Sequence, residues 1–435
     1  MNKKPSVLIS AMALFSMFFG AGNLIFPPTL GLWAGDKYIS AMIGFLLASV
    51  GIVMLGVIAT TKAGGRIENM ASKLGDKFSI LFGTFIVLAI GPGLAIPRTA
   101  ATTFEIIQGT IAPNLNPTIS SIVFFGVVLF FVLNPTNVID TLGKYLTPAL
   151  LVVLAIIIVK GITTPIGTIV PTGAINTFGR SFEEGYQTMD ALAALVFTSI
   201  IIKGFKDKGV KDSKEIVKLT MKSAIFAAIG LSLVYGGLLY IGATASSLSL
   251  VRVEKVEFLI YITNMLLGGF GKYALSAAIT LACITTAVGL TSTVGDFFFK
   301  LFNNKINYNF IIAVSTVFSG YFAVSGVETI VALSAPVLSA LYPISIVLIF
   351  LNLFPNFFKK KATHIGAVLG ACLPTVVTIA NALNIKLPLL LEIKNYFPKS
   401  LHSFLWVIPV VILGTVFTIF SKNKSQKAEI EKELI

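Results

Sequence analysis

Three ionisable residues lie inside long apolar runs of this 435-residue sequence, and each must do something to justify its burial. Arg98 follows Gly91-Pro92-Gly93-Leu94-Ala95-Ile96-Pro97, a stretch built from residues that interrupt helices. Glu105 comes seven residues later, about 20° from Arg98 around a helix resumed after Pro97. Asp190 lies in Glu184-Gly185-Tyr186-Gln187-Thr188-Met189-Asp190-Ala191-Leu192-Ala193-Ala194-Leu195. A charge at the centre of a bilayer costs at least about 2.5–3.5 kcal/mol, so such a residue either ties helices together or lines a path for a charged solute. Arg98 paired with an acid such as Glu105 serves the first purpose, and Arg98 gating a path by changing partners serves the second. Glu105 also suits the outer headgroup level, where it needs no partner. Asp190 suits a cation, a substrate ammonium or a proton, and equally a first-turn acid favoured by the helix dipole.

Two further stretches offer oxygen and backbone chemistry without a full charge. Thr285-Thr286-Ala287-Val288-Gly289-Leu290-Thr291-Ser292-Thr293-Val294-Gly295-Asp296 supplies hydroxyls and carbonyls, the ligands a hard cation such as sodium takes. Hydroxyls in membrane helices also bond back to their own helix or across to a neighbour. Phe18-Phe19-Gly20-Ala21-Gly22-Asn23-Leu24-Ile25-Phe26-Pro27-Pro28 joins two glycines to two prolines, each proline removing an amide donor. An unpaired peptide group in hydrocarbon costs several kcal/mol, so a break here is tolerated where its freed groups face protein, water or a bound solute. Discontinuous helices of secondary transporters are built this way; a simple proline kink in a packed helix reads the same.

Other chemistries find no support. The sequence has no Walker A loop, no HExxH pair and no TVGYG-like filter, which weighs against an ATP-driven pump, a metalloprotease and a potassium channel. No nucleophile–base–orienter set can be assembled, so an enzyme is not expected. Cys283 and Cys372 give no disulfide framework, and with His364 and His402 they make no metal cluster. No cofactor is expected beyond a coupling ion.

The elements that must position these residues are membrane helices. The chain is 55% hydrophobic and 12% charged, with a mean hydropathy of +0.90, where soluble domains carry about 25% charge. At about 20 apolar residues per span, twelve segments emerge: 7–33, 38–61, 77–107, 118–135, 144–162, 185–204, 215–245, 271–300, 307–324, 326–354, 363–384 and 401–421. Met1-Asn2-Lys3-Lys4 resembles a signal n-region, but the apolar run behind it is too long for an h-region and reads as a retained first span. With both termini in the cytoplasm, inner segments hold 23 of the 33 Lys and Arg, seven of them between Lys203 and Lys222. Outer segments hold nine, and Arg98 stays in the membrane. That asymmetry sets the orientation and accounts for the net charge of +14 without nucleic acid. Asp296 then falls near the cytoplasmic end and is expected to be hydrated. The expected organisation is a five-span unit over 1–162, a connecting extracellular loop over 163–184 and a second five-span unit over 185–354. Accessory spans follow over 355–421, with a cytoplasmic tail at 422–435. Five spans per half invert one half relative to the other.

Four stretches together carry a family resemblance: FFGAGNLIFPP at 18–28, GPGLAIPRTA at 91–100, GYQTMDALAALVF at 185–197 and TTAVGLTS at 285–292. They are similar to the bacterial branched-chain amino acid:cation symporters of the amino acid–polyamine–cation superfamily. The resemblance implies an all-α integral membrane protein of the leucine-transporter-like fold, with a 5+5 inverted repeat and two C-terminal helices. It also implies import of Leu, Ile and Val across the bacterial cytoplasmic membrane, among membrane lipids, by symport with Na+ or H+. No oligomeric state follows. By the family pattern, the amides of Gly20, Ala21 and Gly22 would meet the substrate carboxylate and Asn23 would help position it or a cation. Thr188, Met189, Asp190 and Ala191 would complete the substrate site from span six. A Na+ site would use the carbonyls of Ser16 and Phe19 with Val288, Thr291 and Ser292, with Thr285 and Thr286 as the rival register. One departure is that span six lacks the midspan glycines of many relatives, which leaves the role of Asp190 open. Proton-coupled transport of another small neutral amino acid, and a channel, are the other readings.

Overall fold

The computed structural model describes residues 6–133, 144, 147–248, 253–382 and 398–433. Parts of the sequence reading lie outside these residues: positions 134–135, 145–146 and 383–384 at span ends, 434–435 of the tail, and Lys3, Lys4, Arg252, Lys386 and Lys394 of the charge count. Among the described residues every regular element is helical. Hydrocarbon offers no partner to a peptide group, so a lipid-facing chain must close its hydrogen bonds within each helix.

The first apolar run forms α1 (Val7–Phe18) and α2 (Ala21–Ala34), parted at Phe19 and Gly20. Pro27 and Pro28 sit inside α2 and do not end it. Instead they withhold the donors that the Asn23 and Leu24 carbonyls would otherwise receive. Helices α3 (Tyr38–Leu46) and α4 (Ile52–Lys62) are joined by a π-helical turn. A second π turn, Ala89–Gly93, separates α5 (Asp76–Leu88) from α6 (Ala95–Thr110), and within it Gly91 leaves helical geometry at φ −89°, ψ −124°. The break expected at Gly91 to Pro97 is thus present, but the helix resumes at Ala95 and Pro97 lies in its first turn, where a missing donor is harmless. Helices α7 (Pro117–Val132) and α8 (Thr147–Thr163) follow.

The next pair differs from the sequence reading. Helix α9 (Thr177–Tyr186) occupies the end of the stretch read as a loop, and α10 (Asp190–Asp207) continues it after a 41° bend. Asp190 therefore lies thirteen residues into a broken span rather than about five: it is a first-turn acid, as one reading had it, but of the second half-helix and buried. The polar outer side of α9, with Arg180, Glu183 and Glu184, hid its apolar side, on which Phe182 and Tyr186 are buried.

After α11 (Ser213–Thr244), a helix α12 (Lys255–Leu267) lies in what was read as a plain connection. Then come α13 (Gly269–Leu301), α14 (Tyr308–Ala323), α15 (Val327–Leu353), α16 (Lys361–Ala382) and α17 (Val407–Glu433). Helix α17 runs past Ser421 and continues to Glu433. Among the described residues six helical stretches are long and apolar enough to cross a membrane, and the bent α9–α10 pair makes a seventh. Helices α1, α7, α8 and α14 are shorter and apolar. Large apolar side chains such as Ile122, Phe130, Leu233, Val317 and Val411 point outward, as a lipid solvent allows.

Two packing features fix the positions of the functional residues. Gly31 on α2 and Gly242 on α11 bring the two backbones into contact; a Cβ at either would overlap the carbonyl of Leu239 or of Pro28 on the other helix. An aromatic column, Phe15–Phe19–Tyr235–Phe45, links α1, α11 and α3 through ring centroids 5.2, 5.9 and 5.6 Å apart. It aims the Tyr235 hydroxyl at the break between α1 and α2.

Candidate functional site

Gly20 caps α2 in extended geometry, and its amide donates to Asn23 Oδ1 at 3.1 Å. That bond removes the amide that would have closed the last turn of α1 on the Ser16 carbonyl. The freed Ser16 carbonyl accepts instead from Thr285 Oγ1 at 3.1 Å and Thr286 Oγ1 at 3.2 Å, both on α13. Thr285 Oγ1 also reaches the Ala282 carbonyl at 2.9 Å. A carbonyl and two hydroxyls thus converge beside the first break, with every donor side chain buried.

The second break runs from Gln187 to Met189. Met189 is left-handed, at φ 64°, although it is not glycine. Thr188 Oγ1 accepts from the Asp190 amide at 3.4 Å and donates to the Gly185 carbonyl at 2.8 Å, capping both half-helices with one hydroxyl. Asp190 is 2% exposed. Its Oδ2 accepts from Asn23 Nδ2 at 2.6 Å and from the Tyr235 hydroxyl at 3.2 Å, and Asn23 Nδ2 also contacts that hydroxyl. One side chain, Asn23, therefore caps the first break and ties it to the second.

Arg98 is 3% exposed, and its Nη1 donates to the Gln187 carbonyl at 2.6 Å. Ser334 on α15 donates to Gln187 Oε1 at 3.0 Å. Glu105 does not meet Arg98: its Oε1 accepts from the Val327 amide at 2.8 Å and caps the start of α15. Gly20, Ala21, Asn23, Arg98, Thr188, Met189, Asp190 and Thr286 border one small cavity of about 20 Å³. Met17, Phe18, Ile90, Ala193, Phe197 and Leu290 supply its apolar side. Gly22 is not part of that lining but packs against Arg98: a Cβ there would sit 2.8 Å from Arg98 Nη2. Ala191 is buried one residue beyond Asp190.

The two hydroxyl registers on α13 separate clearly. Thr285 and Thr286 face the Ser16 carbonyl, whereas Thr291 is rotated about 120–140° from them, and Ser292 lies about 10 Å along the axis from Thr285. The Thr291 hydroxyl is buried without a hydrogen-bond partner, Val288 is buried, and Ser292 is half-buried. Among the described residues no group of three His, Cys, Asp or Glu side chains is placed to hold a metal ion. Tyr235 and Ala282 were not singled out in the sequence reading, and Gln187 appeared there only within a quoted stretch, without a role. For Tyr235 a signal existed: a tyrosine in the middle of an apolar span needs a partner for its hydroxyl.

The chain was compared with known proteins. Residues 3–424 match the family described as "Branched-chain amino acid transport protein". The branched-chain amino acid permease BraB of Bacillus subtilis is 36% identical over 443 residues, covering 98% of each chain. The branched-chain amino acid transport system 2 carrier protein of Pseudomonas aeruginosa is 36% identical over 409 residues, covering 92% of each. Among solved structures, MhsT in complex with L-phenylalanine superposes with a TM-score of 0.58 at 14% identity. That match spans 94% of this chain and 98% of the other, and it shows a shared leucine-transporter-like fold. The relatives are named permeases and carriers, which makes the protein a multi-pass membrane transporter and not an enzyme. A full-length family match and relatives above one-third identity establish that the chain belongs to the branched-chain amino acid transport protein family.

Proposed function

We propose that this protein is a twelve-span symporter in the bacterial cytoplasmic membrane, with both termini in the cytoplasm, that imports Leu, Ile and Val with Na+. Two inverted five-span units, divided near 163–184, would rock around a fixed site, with α16 and α17 outside them as accessory spans. The observation that carries this reading is the Ser16 carbonyl, stripped of its helical donor and faced by two threonine hydroxyls beside the cavity. A cation arriving there would turn those hydroxyls from donors into ligands, alongside the Ser16 and Phe19 carbonyls. Hard cations favour such oxygen sets. In this reading the ligand hydroxyls are those of Thr285 and Thr286, the rival register to Thr291 and Ser292. Across the cavity, the first-turn amides of α2 suit a carboxylate and Asp190 suits an ammonium. The apolar wall suits a branched aliphatic side chain. A methylene in such a pocket is worth about 1–3 kcal/mol, so discrimination among the three substrates is modest.

A specific observation favours a second reading. Asp190 is a buried carboxylate at the break, and carboxylates so placed serve proton relays in transporters. Proteoliposomes with imposed gradients separate the two. Sodium alone is expected to drive saturable accumulation of radiolabelled leucine. Thr286→Val should then lower the apparent sodium affinity about tenfold, the worth of one ligand hydroxyl, while Thr291→Val leaves it unchanged. Accumulation driven by a proton gradient alone and abolished only by Asp190→Asn overturns the sodium assignment. Uptake that never saturates would point to a channel.

A further inference from the structure

The Arg98 guanidinium is the one strongly charged group at this cavity that the hydrogen-bond network leaves partly unused. Only Nη1 has a partner, the Gln187 carbonyl. The Nε donor is buried without one, and Nη2 makes no hydrogen bond and lies against the backbone of Gly22. Among the described residues Arg98 forms no ion pair within 4 Å, although Asp190 lines the same cavity. Asp190 is already held by Asn23 and Tyr235. The two donors left without a partner, Nε and Nη2, form the edge that a carboxylate grips through two parallel hydrogen bonds.

The surroundings fit an anion there. Helix α2 begins at Ala21 beside the same cavity, and its first-turn amides have no helical acceptors. The Gly20 amide is spent on Asn23, which leaves those that follow. Gly22 lets the guanidinium approach that turn, since a side chain there would push Nη2 away. Phe26, 5.9 Å from the guanidinium carbon, covers the charge from one side. A buried guanidinium with unpaired donors is costly unless an anion completes it.

We propose that Arg98 is a substrate-binding residue, whose Nε–Nη2 edge grips the α-carboxylate of the transported amino acid while Nη1 keeps hold of the span-six break. This rests on the reading of the cavity as the amino acid site. Arg98 then sets the substrate class. A free carboxylate is required, and amines or amides with the same branched side chain are refused because they leave the guanidinium unpaired.

The test is competition against radiolabelled leucine bound to the purified wild-type protein, using L-leucine, L-leucinamide and isopentylamine as competitors. Leucine is expected to outcompete leucinamide by on the order of 100-fold, and isopentylamine by at least as much. Arg98→Lys should keep a reduced preference, because a point charge remains without the fork. Arg98→Gln should bind leucine on the order of 100-fold more weakly and discriminate leucine from leucinamide by no more than about threefold. A wild type that binds leucinamide as well as leucine overturns the assignment whether or not the variants fold. So does an Arg98→Gln protein that keeps the wild-type ratio, since a merely structural arginine would weaken both ligands alike. If the wild type binds no leucine, the reading of the cavity fails, and the assignment fails with it.

Discussion

The two helix breaks at the cavity are made by opposite means. The first is rich in glycine, yet Gly20 sits at φ −111°, ψ −162°, a geometry open to any residue. What its missing side chain provides is space, because a Cβ would come within 3.1 Å of Thr286 Oγ1. The second break has no glycine, and there Met189 takes the left-handed backbone that glycine would take freely. What the two share is a side chain that captures a backbone amide, Asn23 at the first and Thr188 at the second. Unwinding in this protein is held by capping side chains, and helix-breaking composition only marks one of the two places where it happens.

Asp190→Ala should break this pairing most severely. It leaves Asn23 Nδ2 and the Tyr235 hydroxyl buried without their shared acceptor, at about 1–3 kcal/mol each. Thermal unfolding of the purified protein should shift down by several degrees, and leucine uptake should fall at least about 100-fold. Gly20→Ala comes next, since the new methyl pushes Thr286 off the Ser16 carbonyl. Sodium affinity in uptake assays should drop about threefold to tenfold. Adding Thr286→Ser, which removes the methyl 3.2 Å from the new Cβ but keeps the hydroxyl, should restore part of it. The smallest effect sharpens the contrast between the breaks. Met189→Gly and Met189→Ala both empty a buried site, but only alanine keeps the penalty of a left-handed backbone. Met189→Gly should therefore be the more stable of the two by about 1 kcal/mol in denaturant unfolding. Equal stabilities would mean that Met189 relaxes out of that geometry.

The same contrast explains what could be read in advance. Long apolar runs dictate membrane helices, and Gly20-Ala21-Gly22 with Asn23 marked the first break correctly. Pro27 and Pro28 looked like its cause and were not; the interruption lies seven residues earlier, where a side chain competes for an amide. The second break carried no compositional mark, and the charges of α9 made its first half look like loop, which misplaced the depth of Asp190. The hydroxyls of α13 showed which residue types were present, but only the docking of α1 selects Thr285 and Thr286 from a run of five hydroxyls. Seven residues separate Arg98 from Glu105, which suggested a pair. The start of α15, fixed by folding at long range, claims Glu105 instead.

The contact of Gly31 with Gly242 has a mechanical meaning. Where helices meet through side chains, motion between them is absorbed first by rotamer changes. Here backbone lies on backbone and nothing can yield, so α2 and α11 behave as one stiff arm. With 32 residues, α11 is about 48 Å long, and a tilt of about 5° would carry its end about 4 Å by that geometry. The helix is already parted at Phe19 and Gly20, between α1 and α2. A long lever ending beside the proposed cation site would turn a small local change into a large remote displacement.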